Sequence, residues 1–164
     1  RKGSITAKVE NGYIGNGGFE YGSNYWVDPI MGFLQNIPGS VSTGSIDSTI
    51  SHTGSNSFKA IITTAFSDYP LIAQATAFNL PVGTYVISYW AKASSIYSPI
   101  YLRSTFRSTA KPLCGLTLPV GTDWAQYTNT CTFSDPDEPL IQIYFGFGTD
   151  DATYWIDDIE VKKV

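Results

Sequence analysis

LIQIYFGF, residues Leu140 to Phe147, is the stretch that decides the fold class. Successive side chains of a strand point to opposite faces, so Ile141, Ile143, Phe145 and Phe147 fall on one side and Gln142, Tyr144 and Gly146 on the other. One face is apolar enough to be core, and the other is polar and aromatic. Outward from it the same period of two recurs over Ser57 to Thr64, Ile72 to Phe78, Thr84 to Ala93, Ile100 to Phe106, Trp124 to Phe133 and Thr153 to Lys162. Each run is rich in Val, Ile, Thr, Tyr, Phe or Trp. NLPVG (Asn79 to Gly83), LPVG (Leu118 to Gly121), SDPDEP (Ser134 to Pro139) and GTDD (Gly148 to Asp151) separate them with turn chemistry. No stretch holds the i, i+3, i+4, i+7 pattern of an amphipathic helix. The expectation is an all-β chain, a two-sheet antiparallel β-sandwich or a barrel. Glu20 to His52 is less regular and is expected to hold long loops with one or two short strands.

The 164 residues suit one domain. The expectation is a single module over 1–164, with 1–15 an N-terminal strand or linker. An apolar content of 43% with 15% aromatics supplies a core, and a domain near this size buries about 70% of its unfolded surface. No run approaches the ~20 apolar residues of a membrane-spanning helix, so no membrane partner is expected. Ten basic against fourteen acidic residues, without a basic cluster, argue against a nucleic-acid partner. Few charges and many Ser, Thr, Asn, Gly and Tyr suit a secreted, extracellular β-protein. Residues 1–20 lack the apolar run of a secretory leader, so the expectation is a mature chain or an excised module. Cys114 and Cys131 stand in two strands joined by a turn. They can form a disulfide adding about 3 kcal/mol, or stay buried thiols.

Enzyme motifs are missing. His52, the sole histidine, lies in SHTGS without a nucleophile motif beside it and is expected to be a structural loop residue. Metal-ligand cysteine spacing and a phosphate-binding glycine loop are likewise not found. Among the acids, Asp135, Asp137, Glu138, Asp150 and Asp151 lie in turns. Asp157 and Asp158 differ, because adjacent strand residues point to opposite faces and one of the two is therefore directed inward. A buried carboxylate needs a partner, and a hard cation with oxygen ligands is a sensible one.

NGGFE (Asn16 to Glu20), Trp26, HTGSNSF (His52 to Phe58), LPVGTYVISYWAKA (Leu80 to Ala93), WAQYTNTCTF (Trp124 to Phe133) and YWIDDIEV (Tyr154 to Val161) follow one another in a known order. In these elements the chain resembles the carbohydrate-binding modules of families four, nine and twenty-two, from about Asn16 to Val164. The resemblance implies a jelly roll that binds polysaccharide without catalysis, usually appended to a secreted glycoside hydrolase. It implies a structural calcium held by the Glu20 and Asp157 carboxylates and by carbonyl oxygens near Gly18, Thr53 and Asn56. Some relatives carry an acid near Thr53, which this chain lacks.

For the sugar the resemblance implies a cleft in which rings stack on pyranose faces and amide or guanidinium groups meet hydroxyls. Tyr69, Gln74, Tyr101, Arg103, Phe106 and Tyr144 are the candidates. Tyr101 and Arg103 share a face by alternation, and Phe106 has the opposite parity and joins them only through a bulge or a strand end. Trp90, Trp124 and Trp155 sit where the family packs its core, so they are expected inside, and Trp26 is expected to be structural. The resulting expectation is a monomeric module that binds a β-glucan or xylan chain and is no enzyme. The alternative is an extracellular protein-interaction or adhesion module on the same sandwich. A jelly-roll enzyme would need converging groups, and Tyr101, Arg103 and Lys111 are too few.

Overall fold

The structure is a computed structural model that describes residues 9–10, 14–22, 26, 41–64, 71–73, 78–79, 82–95, 98–106, 112–134, 140–147 and 151–164. Over 9–10, 14, 41, 71–73, 78–79, 98–106, 112–117 and 140–147, apart from Phe145 and Phe147, only the backbone is described. The described elements are all strands: β1 (Val9–Glu10), β2 (Ile14–Gly15), β3 (Val41–Asp47), β4 (Ser57–Thr64), β5 (Leu71–Ala73), β6 (Phe78–Asn79), β7 (Gly83–Ala93), β8 (Ser98–Phe106), β9 (Pro112–Val120), β10 (Ala125–Phe133), β11 (Leu140–Phe147) and β12 (Ala152–Lys163).

Two five-stranded antiparallel sheets form a jelly-roll sandwich. The first runs β10-β7-β12-β4-β3 and the second β5-β11-β8-β9, with β6 also on β11, while β1 and β2 make a separate ribbon. Alternation in β7 sends Tyr85, Ile87, Tyr89, Ala91 and Ala93 into the core. Phe145 and Phe147 of β11 meet them from the opposite sheet. Tyr89 lies edge-on to Phe145 at 5.1 Å between centroids, and Phe58 of β4 lies 5.3 Å from Phe147. Aromatic pairs at such separations add to the burial of their area. Trp26, fully buried, closes one side at 6.0 Å from Phe145.

The expected strands Ser57 to Thr64 and Leu140 to Phe147 match β4 and β11 residue for residue. Of the expected strand Ile72 to Phe78, β5 and β6 cover the two ends, both paired with β11, and residues 74–77 lie outside the described residues. Two expectations are corrected. LPVG is not a separator from its first residue, because Leu118 to Val120 still belong to β9 and the turn begins at Gly121. Pro112 and Pro119 are tolerated there because β9 is an edge strand, where a missing N–H costs little. Val41 to Asp47 is a full seven-residue strand inside the stretch read as irregular.

Cys131 is buried and disulfide-bonded, and Cys114 is the only other cysteine of the chain. The bridge joins β9 of the second sheet to β10 of the first.

Candidate functional site

Strand β12 breaks its own alternation, and that break builds the first site. Ala152, Tyr154 and Ile156 face the core, and beyond the break Ile159 and Val161 do. The inward parity therefore changes across Asp157 and Asp158. The register against β7 shifts between Asp157 and Glu160, and Asp158 adopts a left-handed φ of 49°. An extra residue in one strand of a pair re-aims its side chains. Asp157 is the buried one of the two acids, as expected of one member of the pair, and the bulge turns both carboxylates to the loop of His52 and Thr53. Asp157 Oδ2 accepts from the His52 and Thr53 amides at 2.8 and 3.3 Å, and Thr53 Oγ1 donates to Asp158.

The NGGFE turn closes on this bulge. Asn16, also left-handed, accepts from the Tyr21 amide with its side chain and takes the Trp26 indole N–H on its carbonyl at 2.7 Å. The Ile159 amide donates to the Gly17 carbonyl at 2.9 Å. Glu20 then reaches the second half of the loop, where its Oε1 accepts from the Ser55 and Asn56 amides at 2.8 and 2.9 Å. The positive φ of Gly54 lets the loop pass over that carboxylate. A Cβ at Gly18 would lie 3.4 Å from Asp158 Oδ1 and 3.8 Å from Asp157 Oδ1, so glycine keeps the turn close to both acids. The residues named from the resemblance, Gly18, Glu20, Thr53, Asn56 and Asp157, therefore lie around one turn-loop-bulge junction.

Asp157 is completely buried. Burial and the neighbouring Asp158 charge push its carboxyl up to about 7, against the pull of the amides of His52, Asp158 and Thr53. The donors are all oxygens, and a buried carboxylate beside a second one fits an oxygen-seeking cation in kind. Among the described residues no three His, Cys, Asp or Glu side chains gather to hold a metal by themselves, so carbonyl oxygens would have to complete such a shell.

The candidate sugar residues fall on the second sheet or outside the described residues. Tyr69 and Gln74 lie outside them. In the β8–β11 register Tyr144 stands opposite Arg103, and Gly146 opposite Tyr101. These positions have the parity opposite to core-facing Phe145 and Phe147, which is the parity of the outer face of that sheet. Phe106 pairs with Ile141 and so shares the core parity.

Trp90, Trp124 and Trp155 are not in the core, which corrects the expectation drawn from the resemblance. All three are half-buried. Trp90 and Trp155 alternate with core residues and stand on the outer face of the first sheet. His52 stacks on Trp90 at 3.8 Å between centroids and lies 5.7 Å from Trp124, with Nδ1 2.7 Å from Asp158 Oδ2. Trp155 donates its indole N–H to Asp47 Oδ2 at 3.0 Å, and Lys92 Nζ lies 5.5 Å over its ring. Asp47 is held well below the usual carboxylate range: burial alone would raise it, but hydrogen bonds from Thr49 and Trp155 and the Lys59 charge outweigh that cost. The signal that would have found Trp90 and Trp155 is the alternation of β7 and β12 itself, in which each of the two adjoins a core residue.

No family model matches the chain, and no curated protein does. Solved structures match its fold. A CBM4 carbohydrate-binding module superposes with a TM-score of 0.70 at 21% identity, over 92% of this chain and 99% of that one. The CBM22-1 xylan-binding domain of Xyn10C from Paenibacillus barcinonensis gives 0.58 at 12%, over 76% and 84%. The enzymatically active domain of tailspike protein 4 from bacteriophage CBA120 gives 0.62 at 16%, over 92% of this chain but 21% of that one. The chain thus has the jelly-roll fold of carbohydrate-binding modules.

Proposed function

We propose that the protein binds a β-linked polysaccharide, a β-glucan or xylan, without catalysis, through the outer face of the second sheet. The observation that carries this reading is the register that sets Tyr144 opposite Arg103 and Tyr101 opposite Gly146, on the parity opposite to the core. Tyrosine rings supply stacking surface for pyranose C–H faces, and a guanidinium supplies a fork of donors for hydroxyls. The fold it shares with carbohydrate-binding modules supports the same reading. Affinity would be modest, since a flexible chain loses freedom on binding. In this reading calcium is held by Glu20, Asp157 and the carbonyls near Gly18, Thr53 and Asn56, and it ties the opening turn to the last strand. The module would work outside the cell, attached to a glycoside hydrolase.

Retardation in native gels containing β-1,4-glucan, mixed-linkage glucan, β-1,3-glucan, xylan or mannan tests this, with and without a chelator. Retardation by glucan or xylan, lost in Tyr144→Ala and Arg103→Ala variants that still fold, is expected. Absence of retardation by every glycan would overturn it. Calcium at 100 times its dissociation constant would stabilise the fold by about 2.7 kcal/mol, and the Asp157→Asn variant would lose that gain.

A further inference from the structure

The outer face of the first sheet carries side chains that the proposed cleft does not use. Lys59 of β4, Trp155 of β12 and Lys92 of β7 stand in one row across three adjacent strands, Trp155 being the register partner of both lysines. With strands about 4.8 Å apart, the two lysine backbones flank the indole across roughly 10 Å. The indole is already oriented, because its N–H is held by Asp47 and Asp47 is fixed by the Thr49 hydroxyl at 2.6 Å. A ring fixed in advance gives up little freedom when a ligand meets it.

The two ammonium groups differ. Lys59 lies 3.6 Å from Asp47. Lys92 lies over the Trp155 ring, and among the described residues no carboxylate pairs with it, although acids outnumber bases in the chain by 14 to 10. An ammonium beside an oriented indole suits a ligand that combines a carboxylate with an apolar C–H face. Around the row Ser45 and Thr43 of β3 and Gln126 of β10 are exposed, and Trp90 on the same face is half-buried with the His52 ring stacked on it. Among the described residues the exposed large apolar side chains are Val82 and Val164, at the other end of β7 and β12. Such a face lacks the contiguous apolar patch that a protein partner favours.

We propose that this face is a second glycan-contact surface, at which the Trp155 indole and the Lys92 and Lys59 ammonium groups take a uronate-bearing pyranose chain. The flexible Lys92 stem lets a carboxylate draw Nζ off the ring, which frees the indole for the C–H face of a sugar. The inference extends the reading of the protein as a polysaccharide binder but uses the opposite sheet, so the two fail separately.

The test compares glucuronoxylan with the same polymer after reduction of its carboxyl groups, in native affinity gels at low and high salt. Tighter binding of the acidic polymer is expected, with the preference lost at high salt, where surface charges are screened. Lys92→Gln should lower affinity for the acidic polymer about two- to fivefold, the scale of one exposed ion pair, and leave the reduced polymer unaffected. Trp155→Ala, checked for folding by circular dichroism, should weaken the acidic polymer further. Equal binding of the two polymers by the unsubstituted protein, or an acid preference that survives Lys92→Gln, would overturn the inference while leaving the cleft intact. Binding of the acidic polymer alone would support this face and overturn the cleft reading. Self-association abolished by Trp155→Ala, without any acid preference, would assign the face to protein contact and also overturn the inference.

Discussion

The backbone of Gly17 packs against the carbonyl of Ile159 so closely that a Cβ at position 17 would run into that oxygen. The first turn of the module is therefore seated directly on the strand beyond the bulge, and the Ile159 amide answers with a hydrogen bond to the Gly17 carbonyl. Replacing Gly17 with Ala forces the backbones apart at a place where both are buried. A loss of about 2–3 kcal/mol is expected, the scale of overpacking in a tight interior. Chemical unfolding checks it, and a midpoint equal to that of the unsubstituted protein would mean that the turn is not seated as described.

Asp157 sets a pH dependence of the metal-free protein. Its folded carboxyl is raised from 3.8 to about 7, so between those values the folded state holds a proton that the unfolded chain releases. Stability from this group is complete below about pH 4 and is lost as pH rises through 7. Asp47 acts in the opposite sense. Its folded carboxyl is lowered, so its contribution is present above 3.8 and disappears as pH falls below that value. Thermal unfolding in chelator should therefore show a melting temperature that declines from pH 5 to pH 8. Asp157→Asn should flatten that decline, and a decline unchanged in the variant would remove Asp157 as its source.

Both predictions depend on a junction that was only partly legible beforehand. The period of two in β4, β7 and β11 announced a sandwich because each strand has one face in the core and one outside, and hydrophobic burial enforces that pattern residue by residue. The doublet Asp157-Asp158 between Ile156 and Ile159 interrupts the period of two, but only the shifted register shows that both acids turn to one loop. Trp90 and Trp155 stand outward, against the expectation drawn from the resemblance, because Asp47 and His52 supply partners that let indoles stand on an open sheet. Glu20, Asn56 and Gly18 come together across long sequence separations, and the resemblance, not spacing, named them.

Tyr89 carries a buried hydroxyl that has no hydrogen-bond partner among the described residues. Burial, with the nearby Tyr127, pushes its ionisation far above the ordinary tyrosine range, so the group is neutral and its desolvation is not repaid. Its ring packs against Phe145 and Tyr127, contacts that phenylalanine would keep. Tyr89→Phe is therefore expected to raise stability by about 1 kcal/mol, read as a higher denaturant midpoint with an unchanged slope. A loss of stability would show that the hydroxyl has a partner, such as a buried water, and would reverse the assignment.

The bridge at Cys131 makes the last prediction, because it is the covalent tie between two layers otherwise joined by core packing and loops. The sequence between Cys114 and Cys131 is a hairpin-like excursion from an edge of one sheet to an edge of the other, so closing it restricts the unfolded chain more than the folded one. Reduction, or Cys131→Ser, should lower stability by about 3 kcal/mol. The denaturant midpoint should shift down equally for the reduced protein and the variant. If reductant leaves the unsubstituted protein unchanged, the cysteines are free thiols in solution and the two sheets are held by packing alone.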